Sequence, residues 1–239
     1  MNGRRFSQRL QQAKESPTIG LSAYIAKLKS QGKEILPLNV GEPDFPPPEE
    51  VIEDTRRALS EHETRYSLVE GIPQLREALK TKLANDNRLS VNINELLLTN
   101  GSKQALYLIF QTLLDPGDEV IIPRPYWVSF PESVKLAGGV PVFVETKEDN
   151  HLDLENIKKA IGPKTKILLI NSPNNPSGAV YSQKELEGVA ELAMQNDLYL
   201  LADEAYEQFV YEGIEHTSLA ALSPEVYDRT LTVQSFSKT

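Results

Sequence analysis

The sequence predicts an α/β fold, with a mostly parallel sheet, helices on both faces and an N-terminal arm outside it. From Leu96 onward, short apolar runs alternate with amphipathic stretches, which is typical of βαβ units. The runs are mostly apolar, as is typical of buried parallel strands. Strands are predicted at 96–99, 119–122, 140–144, 166–170, 198–202 and 230–234, and helices at 102–113, 127–137, 153–161 and 183–196.

Helices are also predicted ahead of this alternating region. Residues 16–31 have the pattern of a capped amphipathic helix, with Leu21, Ile25 and Leu28 on one stripe. Two further helices are predicted at 49–60 and 73–85, the second opened by a proline. The proline-rich connector that ends the arm is the best candidate for a domain boundary. We therefore divide the chain into residues 1–45 (the arm and the first part of a small domain) and 46–239 (a large domain).

Composition argues against several classes of function. The net charge of −9 disfavours nucleic acid and anionic membranes as main partners. There is no cysteine, so disulfides and thiolate chemistry are absent. The three histidines, His62, His151 and His216, lie far apart without metal-ligand spacing, so no metal site is predicted. No apolar segment follows the basic start, which favours a cytoplasmic protein.

Polar loops follow the predicted strands, at the sheet edge where α/β proteins bind ligands. Gly101-Ser102-Lys103 opens a helix and could hold an anion such as phosphate, although Ser102 could equally be a simple N-cap. Trp127, the only tryptophan, is by itself more typical of a core anchor than of a stacking surface. The run Asn171-Ser172-Pro173-Asn174-Asn175-Pro176-Ser177-Gly178 is too rich in amides for one tight turn.

Charged groups follow the last two strands. Asp203-Glu204-Ala205-Tyr206 ends an apolar strand, and such an acid either caps the next element or faces a cationic ligand atom. Ser235-Phe236-Ser237-Lys238 follows the final strand. A lysine there can form a Schiff base with a carbonyl compound, whereas an isolated lysine on a polar loop is more often solvated.

In this order, the motifs N-S-P-N-N-P-S-G, D-E-A-Y and S-F-S-K resemble those of the fold-type I pyridoxal-phosphate aminotransferases, class I/II. The similarity extends to T-N-G-S-K-Q-A-L, to P-Y-W-V, to the segment Tyr66–Arg76 and to the arm motif Gly41-Glu42-Pro43-Asp44-Phe45. The similarity extends from about Ser16 to the end of the chain. Within the family, the chain most resembles the aspartate aminotransferases. The large domain is then the pyridoxal-phosphate-binding domain.

The resemblance implies a role for each motif residue toward pyridoxal 5'-phosphate. Lys238 would hold the cofactor as a Schiff base and then move the substrate's proton. Asp203 would pair with the pyridine nitrogen, and Asn175 and Tyr206 would hydrogen-bond the ring's phenolic oxygen. Trp127 would stack on the ring.

Further residues are assigned to the phosphate, the substrate and the subunit interface by the same resemblance. The phosphate would be surrounded by Gly101, Ser102, Lys103, Ser235 and Ser237. Gly41 would lie beside the substrate carboxylate, close to Trp127 and Asn175. Tyr66 would reach the phosphate of a neighbouring subunit, which implies a homodimer with shared active sites.

The family pattern continues beyond Lys238, with arginines for the cofactor phosphate and for the substrate carboxylate. Neither Arg124 nor Arg229 matches these arginines by motif. We therefore expect residues 1–239 to be the N-terminal part of an aminotransferase and inactive when isolated. In the family, a later strand inserts between those predicted at 96–99 and 230–234, so a gap about two strand spacings wide (roughly 9–10 Å) is expected there.

The implied function is transfer of an amino group from an amino acid, aspartate or glutamate if Lys103 meets an acidic side chain, to a 2-oxo acid. Two alternatives stay open at this point. A pyridoxal-phosphate lyase or synthase of the same fold would share every cofactor residue. A non-catalytic regulatory or binding protein could also use the fold, although only a short segment precedes the arm helix here.

Overall fold

The structure of the chain is a computed structural model, and it describes residues 7–14, 17–43 and 45–238. Two compact units are distinguished. One comprises the residues up to 39 together with those from 100 onward, and the other is Val40–Thr99. The predicted division into 1–45 and 46–239 refers to the domains of a whole aminotransferase and stays a prediction.

The first unit contains a five-stranded sheet, in which every pairing is parallel. Its strands are β1 (Glu119–Arg124), β2 (Val140–Glu145), β3 (Thr165–Asn171), β4 (Tyr199–Asp203) and β5 (Thr230–Val233), in the spatial order β2-β1-β3-β4-β5. Each lies within two residues of a predicted strand. Because β3 and β4 pair in register, Asn171 lies beside Asp203 at their carboxyl ends.

The α-helices of both units also follow the predicted pattern closely. They are α1 (Gln8–Gln12), α2 (Pro17–Ser30), α3 (Glu49–Ser60), α4 (Pro73–Asp86), α5 (Gly101–Leu113), α6 (Ser129–Leu136), α7 (Leu154–Ala160), α8 (Gln183–Gln195) and α9 (Pro224–Tyr227). Local signals set several starts: Pro73 is the first residue of α4, and the Asp153 carboxylate accepts from two backbone N–H groups at the start of α7.

Helices cover both faces of the sheet, which confirms the predicted fold class. On one face, α7 and α8 pack against alternate strand residues that include Ile121, Leu168 and Leu200. On the other, α5 and α6 pack against the intervening residues, such as Ile122 and Leu169. Burial of successive residues on opposite faces explains why the central strands β1, β3 and β4 are mostly apolar.

The prediction of a strand at 96–99 was wrong. Leu96–Thr99 is not part of any β-ladder among the described residues. Within the second unit, Leu98 instead donates its backbone N–H to the Glu70 carbonyl at 3.0 Å. The Leu98 side chain packs where a Cβ on Gly71 would project. Leu98 therefore packs against a loop, while Leu96 is half-buried and Leu97 is exposed.

The arm helix is less amphipathic than its sequence suggests. Within α2, Leu21 is exposed, and Ile25 and Leu28 are only half-buried.

Ser16, the proposed start of this helix, lies outside the described residues, as do Asp44 of the arm motif and Thr239. The sequence analysis missed α1, α9 and the short 3₁₀ turns Ile93–Glu95 and Leu219–Ala221.

Candidate active site

The candidate site lies in the first unit, at the carboxyl ends of its adjacent strands. The strand order β1-β3-β4-β5 places the segments that follow these strands side by side. Trp127, Asn175 and Lys238 lie in the segments after β1, β3 and β5, and Asp203 is the last residue of β4. Residues far apart in the chain are therefore brought together by parallel topology alone.

Asp203 is the most deeply buried acid of the site. It is the last residue of β4 and only 3% of its surface is exposed. Burial raises its pKa to about 7, and the charge of Glu204 acts in the same direction, while a hydrogen bond from the Ala205 N–H at 3.2 Å opposes them. Among the described residues no cation pairs with this carboxylate, so it is suited to receive a cationic ligand atom.

The loop after β3 is held in shape by its own amides. The Asn171 side chain donates to the Asp203 carbonyl at 3.0 Å and accepts from the Asn175 N–H at 2.8 Å. The Asn174 amide donates to the Pro125 carbonyl at 3.2 Å and accepts from the Ser177 hydroxyl at 2.8 Å. These bonds tie the loops after β1, β3 and β4 together, which fixes the position of Asn175.

Tyr206 and Lys238 are neighbours. The Lys238 ammonium nitrogen lies 5.5 Å from the centre of the Tyr206 ring. The Tyr206 hydroxyl hydrogen-bonds the side chain of Asn175. Burial and the nearby charge of Asp203 raise the pKa of this phenol, and the bond to Asn175 only partly offsets them. An amine, a phenol and an amide are thus gathered beside the buried Asp203.

Hydroxyl groups and a helix N-terminus lie in the same unit. The Ser235 and Ser237 hydroxyls are 2.5 Å apart in the turn that leads to Lys238. Helix α5 begins at Gly101, whose φ of +75° favours glycine, and Asn100 provides no side-chain cap. Its first turn, with Ser102 and Lys103, is therefore suited to bind an anion.

Trp127 connects the predicted phosphate segment to the rest of the site. The Lys103 ammonium lies 5.2 Å from the centre of the Trp127 ring. Trp127 also meets Phe130 edge to face at 5.5 Å and is half-buried against the core. The ring therefore combines the anchoring role, which the isolated residue suggested, with a place beside Lys103.

The other predicted residues fall outside this group or point elsewhere. Gly41 and Tyr66 belong to the second unit, where both are exposed. Arg124 pairs with Glu145 at 2.8 Å, and Arg229 donates to the Leu198 carbonyl at 3.1 Å. Neither arginine is directed to an anion site, in line with the absence of a motif match.

Comparison with known proteins identifies the family. The family described as aminotransferase class I and II matches residues 33–239, most of the chain. The chain belongs to this family. It is 49% identical to the aspartate/prephenate aminotransferase of Thermus thermophilus and 42% identical to the aspartate aminotransferase of Geobacillus stearothermophilus, each over 98% of the chain.

Solved structures agree with the sequence match. The aspartate aminotransferase from Thermus thermophilus with maleate superposes with a TM-score of 0.93 at 49% identity, over 99% of this chain and 61% of its own. The Rhizobium meliloti aspartate aminotransferase has a TM-score of 0.94 at 36% identity, over 99% of this chain and 60% of its own. The chain thus spans about 60% of the length of these relatives.

Class I and II aminotransferases are pyridoxal 5'-phosphate enzymes, so the predicted cofactor is confirmed at the level of the family. The residues of the site fit this group. Asp203 offers a buried carboxyl group whose charged form a protonated pyridine nitrogen would favour. Asn175 and Tyr206 offer polar groups for the ring oxygen, Lys238 offers the amine, and the first turn of α5 suits the phosphate.

The sequence analysis missed residues that support the site rather than form it. Asn171 and Asn174 organise the loop, but a motif does not show which of several asparagines does so. Glu204, which directly follows Asp203 in the chain, forms a cluster with Glu207 and the half-buried His216. The spacing of the histidines gave no sign of it, because His216 approaches the carboxylates only in the folded chain.

No helix in the described part of the chain is long and apolar enough to cross a membrane.

Proposed function

We propose that the protein is a pyridoxal-phosphate-dependent aminotransferase that moves an amino group from aspartate or glutamate to a 2-oxo acid. One observation carries this proposal: Lys238, Tyr206 and the buried Asp203 converge at the carboxyl ends of β4 and β5. The relatives named above are aspartate or aspartate/prephenate aminotransferases, and this supports the reaction class.

Each residue has a task that follows from its chemistry. When bound, the cofactor supplies an electron sink for the bond broken at the amino acid's α-carbon. The Lys238 amine would hold the cofactor and, once the substrate amine has displaced it, could take a proton as a general base. The buried Asp203 would favour positive charge on a ring nitrogen held beside it. Tyr206 and Asn175 would hydrogen-bond the ring oxygen.

Lys103 supports an acidic substrate. Its ammonium group is held above Trp127, beside the predicted ring position, where it can meet a second carboxylate. The Thermus enzyme was solved with maleate, a dicarboxylate, which is consistent with a site of this charge in that relative. We also propose a cytoplasmic homodimer in which Tyr66 of one subunit completes the site of the other, with Gly41 near the substrate carboxylate.

Borohydride reduction of the cofactor-loaded full-length protein tests the proposal. We expect the cofactor to be fixed on Lys238, which mass spectrometry of the peptides would show. Lys238→Ala should abolish the label, whereas Lys135→Gln should not, because Lys135 pairs with Glu132 on α6. With aspartate and 2-oxoglutarate the wild-type protein should form glutamate. A label on another lysine, or cofactor binding without amino transfer, would contradict the proposal.

A further inference from the structure

Three polar side chains, two of them buried and one half-buried, form a cluster on the loop that follows β4 and the segment that precedes α9. They are Glu204, Glu207 and His216, and one nitrogen or oxygen from each lies within 4.8 Å of the others. Glu204 and Glu207 are only 3% and 5% exposed. The reaction proposed above gives none of them a task.

The two carboxylate oxygens of Glu204 differ in their hydrogen bonding. Its Oε1 accepts from the Ser218 hydroxyl and from the Leu219 N–H, both at 3.0 Å. Its Oε2 is fully buried and has no hydrogen-bond donor among the described residues. Burying a carboxylate oxygen without a hydrogen-bond donor costs free energy. This oxygen is therefore suited to bind a cation or a proton.

His216 faces that oxygen without bonding to it. Its side chain is 9% exposed, and its Nε2 lies 3.3 Å from Glu204 Oε2. The approach does not have hydrogen-bond geometry, and among the described residues neither ring nitrogen has a hydrogen-bond partner. Glu207 completes the cluster, with its Oε2 accepting from the Gln234 amide at 2.9 Å.

A second histidine–glutamate pair in the same unit shows what an ordinary contact looks like. His151 Nδ1 hydrogen-bonds both carboxylate oxygens of Glu185, at 3.1 and 3.0 Å, and 36% of the His151 side chain is exposed. The His216 pair differs in being buried, in lacking this geometry and in having a second carboxylate beside it. These three differences favour a shared ligand over a simple hydrogen bond.

We propose that Glu204, Glu207 and His216 bind a divalent transition-metal ion, best matched by Zn²⁺. Imidazole nitrogen and carboxylate oxygen are zinc ligands, with bonds of about 2.0–2.2 Å. In a tetrahedral site, ligand atoms at such bond lengths are about 3.3 Å apart, the separation between Glu204 Oε2 and His216 Nε2. Rotation of the Glu207 side chain would bring the third ligand in, and water would fill the fourth position.

The charges of the cluster support the same ion. Two buried carboxylates beside a neutral imidazole would place two negative charges in a poorly solvated space. A divalent cation would neutralise both charges. It would also coordinate the Glu204 oxygen and the His216 nitrogen that have no hydrogen-bond partner among the described residues. The ion would tie the loop after β4 to the segment before α9. This proposal does not depend on the aminotransferase assignment.

Metal titration of the full-length protein tests the proposal. After treatment with a chelator, the protein should bind one Zn²⁺ per chain in competition with a chromophoric chelator, and Co²⁺ should give the visible bands of a tetrahedral site. Loss of groups that only orient zinc ligands weakens binding about 10–100-fold. We therefore expect His216→Ala and Glu207→Gln to weaken zinc binding by about 100-fold or more.

His151→Ala is the matched control, because it removes a histidine–glutamate contact on the surface of the same unit; its zinc affinity should equal that of the wild type. Circular dichroism would establish that each variant is folded. If His216→Ala does not fold, the Glu207→Gln titration and NMR of the His216 ring in the wild type decide the matter. Zinc affinity unchanged in Glu207→Gln, or a His216 ring that titrates as a free imidazole with excess Zn²⁺ present, would overturn the proposal.

Discussion

At the scale of single residues, the site depends on groups whose properties are set by burial. Asp203 would be an ordinary acid on a surface, but at the end of an apolar strand it is desolvated and its pKa is raised. A cationic ring nitrogen would restore the charged form, so this acid and the cofactor should stabilise each other. The residue is therefore expected to matter more for reactivity than for binding.

Asp203→Ala tests this expectation in the full-length protein. Turnover should fall far more than cofactor occupancy, because a neutral pyridine accepts the electrons of the α-carbon poorly. Occupancy is measured by cofactor absorbance and turnover by amino transfer. Asp118→Ala, which removes a half-buried acid paired with Lys166 just before the start of β1, is the control. A loss of less than about 1.4 kcal/mol of transition-state stabilisation, one decade in rate, would count against the role.

Lys103→Gln tests the choice of substrate. Removing the ammonium group above Trp127 should lower kcat/KM for aspartate by about tenfold or more, which corresponds to a charged hydrogen bond of about 1.4 kcal/mol. Activity on an apolar amino donor should change much less. Equal losses on both donors would mean that Lys103 serves the phosphate or the solvent instead.

At the scale of elements, the sheet and its helices were predictable because each is defined by a local pattern. Strands buried on both faces are mostly apolar, and β1, β3 and β4 followed that signal, whereas the less buried β2 and β5 were marked by valine and other β-branched residues. Leu96–Thr99 gave the same signal and was misread, because three leucines cannot show whether they pack in a sheet or against a loop. The cluster around His216 could not be predicted from the sequence either, because it depends on contacts between separate segments.

Helix α8 shows how one carboxylate can join elements. Glu185 forms a capping box with Ser182 and accepts from the Leu152 N–H at 2.9 Å and from His151. Burial alone would raise its pKa, but the bonds from Ser182, His151 and Leu152 outweigh it and lower the pKa below 4.5. The carboxylate therefore stabilises the fold in its charged form.

Glu185→Gln should lower the free energy of unfolding by about 1–2 kcal/mol at neutral pH. Because the folded pKa is depressed, this contribution is complete above the unfolded value of 4.5 and is lost as pH falls through the folded pKa. The difference between wild type and variant should thus shrink below pH 4.5 in urea unfolding. Glu187→Gln, on the exposed side of α8, is the control; a pH-independent difference would contradict the assignment.

At the scale of the whole molecule, the chain presents an open sheet edge. In the sheet that the described residues form, β5 pairs only with β4, and its outer side carries unpaired backbone groups. Large apolar side chains near the end of the site are also exposed, among them Phe236 at 67% and Tyr211 at 70%. The relatives are longer by about two fifths of their length, and the predicted gap beside β5 is not yet tested.

Residues 1–239 expressed alone should therefore associate through β5 and transfer no amino group, even if pyridoxal phosphate reacts with Lys238. A chimera that adds the remaining segment of the Thermus thermophilus relative supplies both a neighbour for β5 and the family's arginines. It should be a discrete dimer in light scattering after size-exclusion chromatography, and it should use aspartate. The same segment with both arginines changed to glutamine should restore the dimer but not the activity, since pairing and anion binding are separate contributions. A monodisperse and active 239-residue chain would contradict this account.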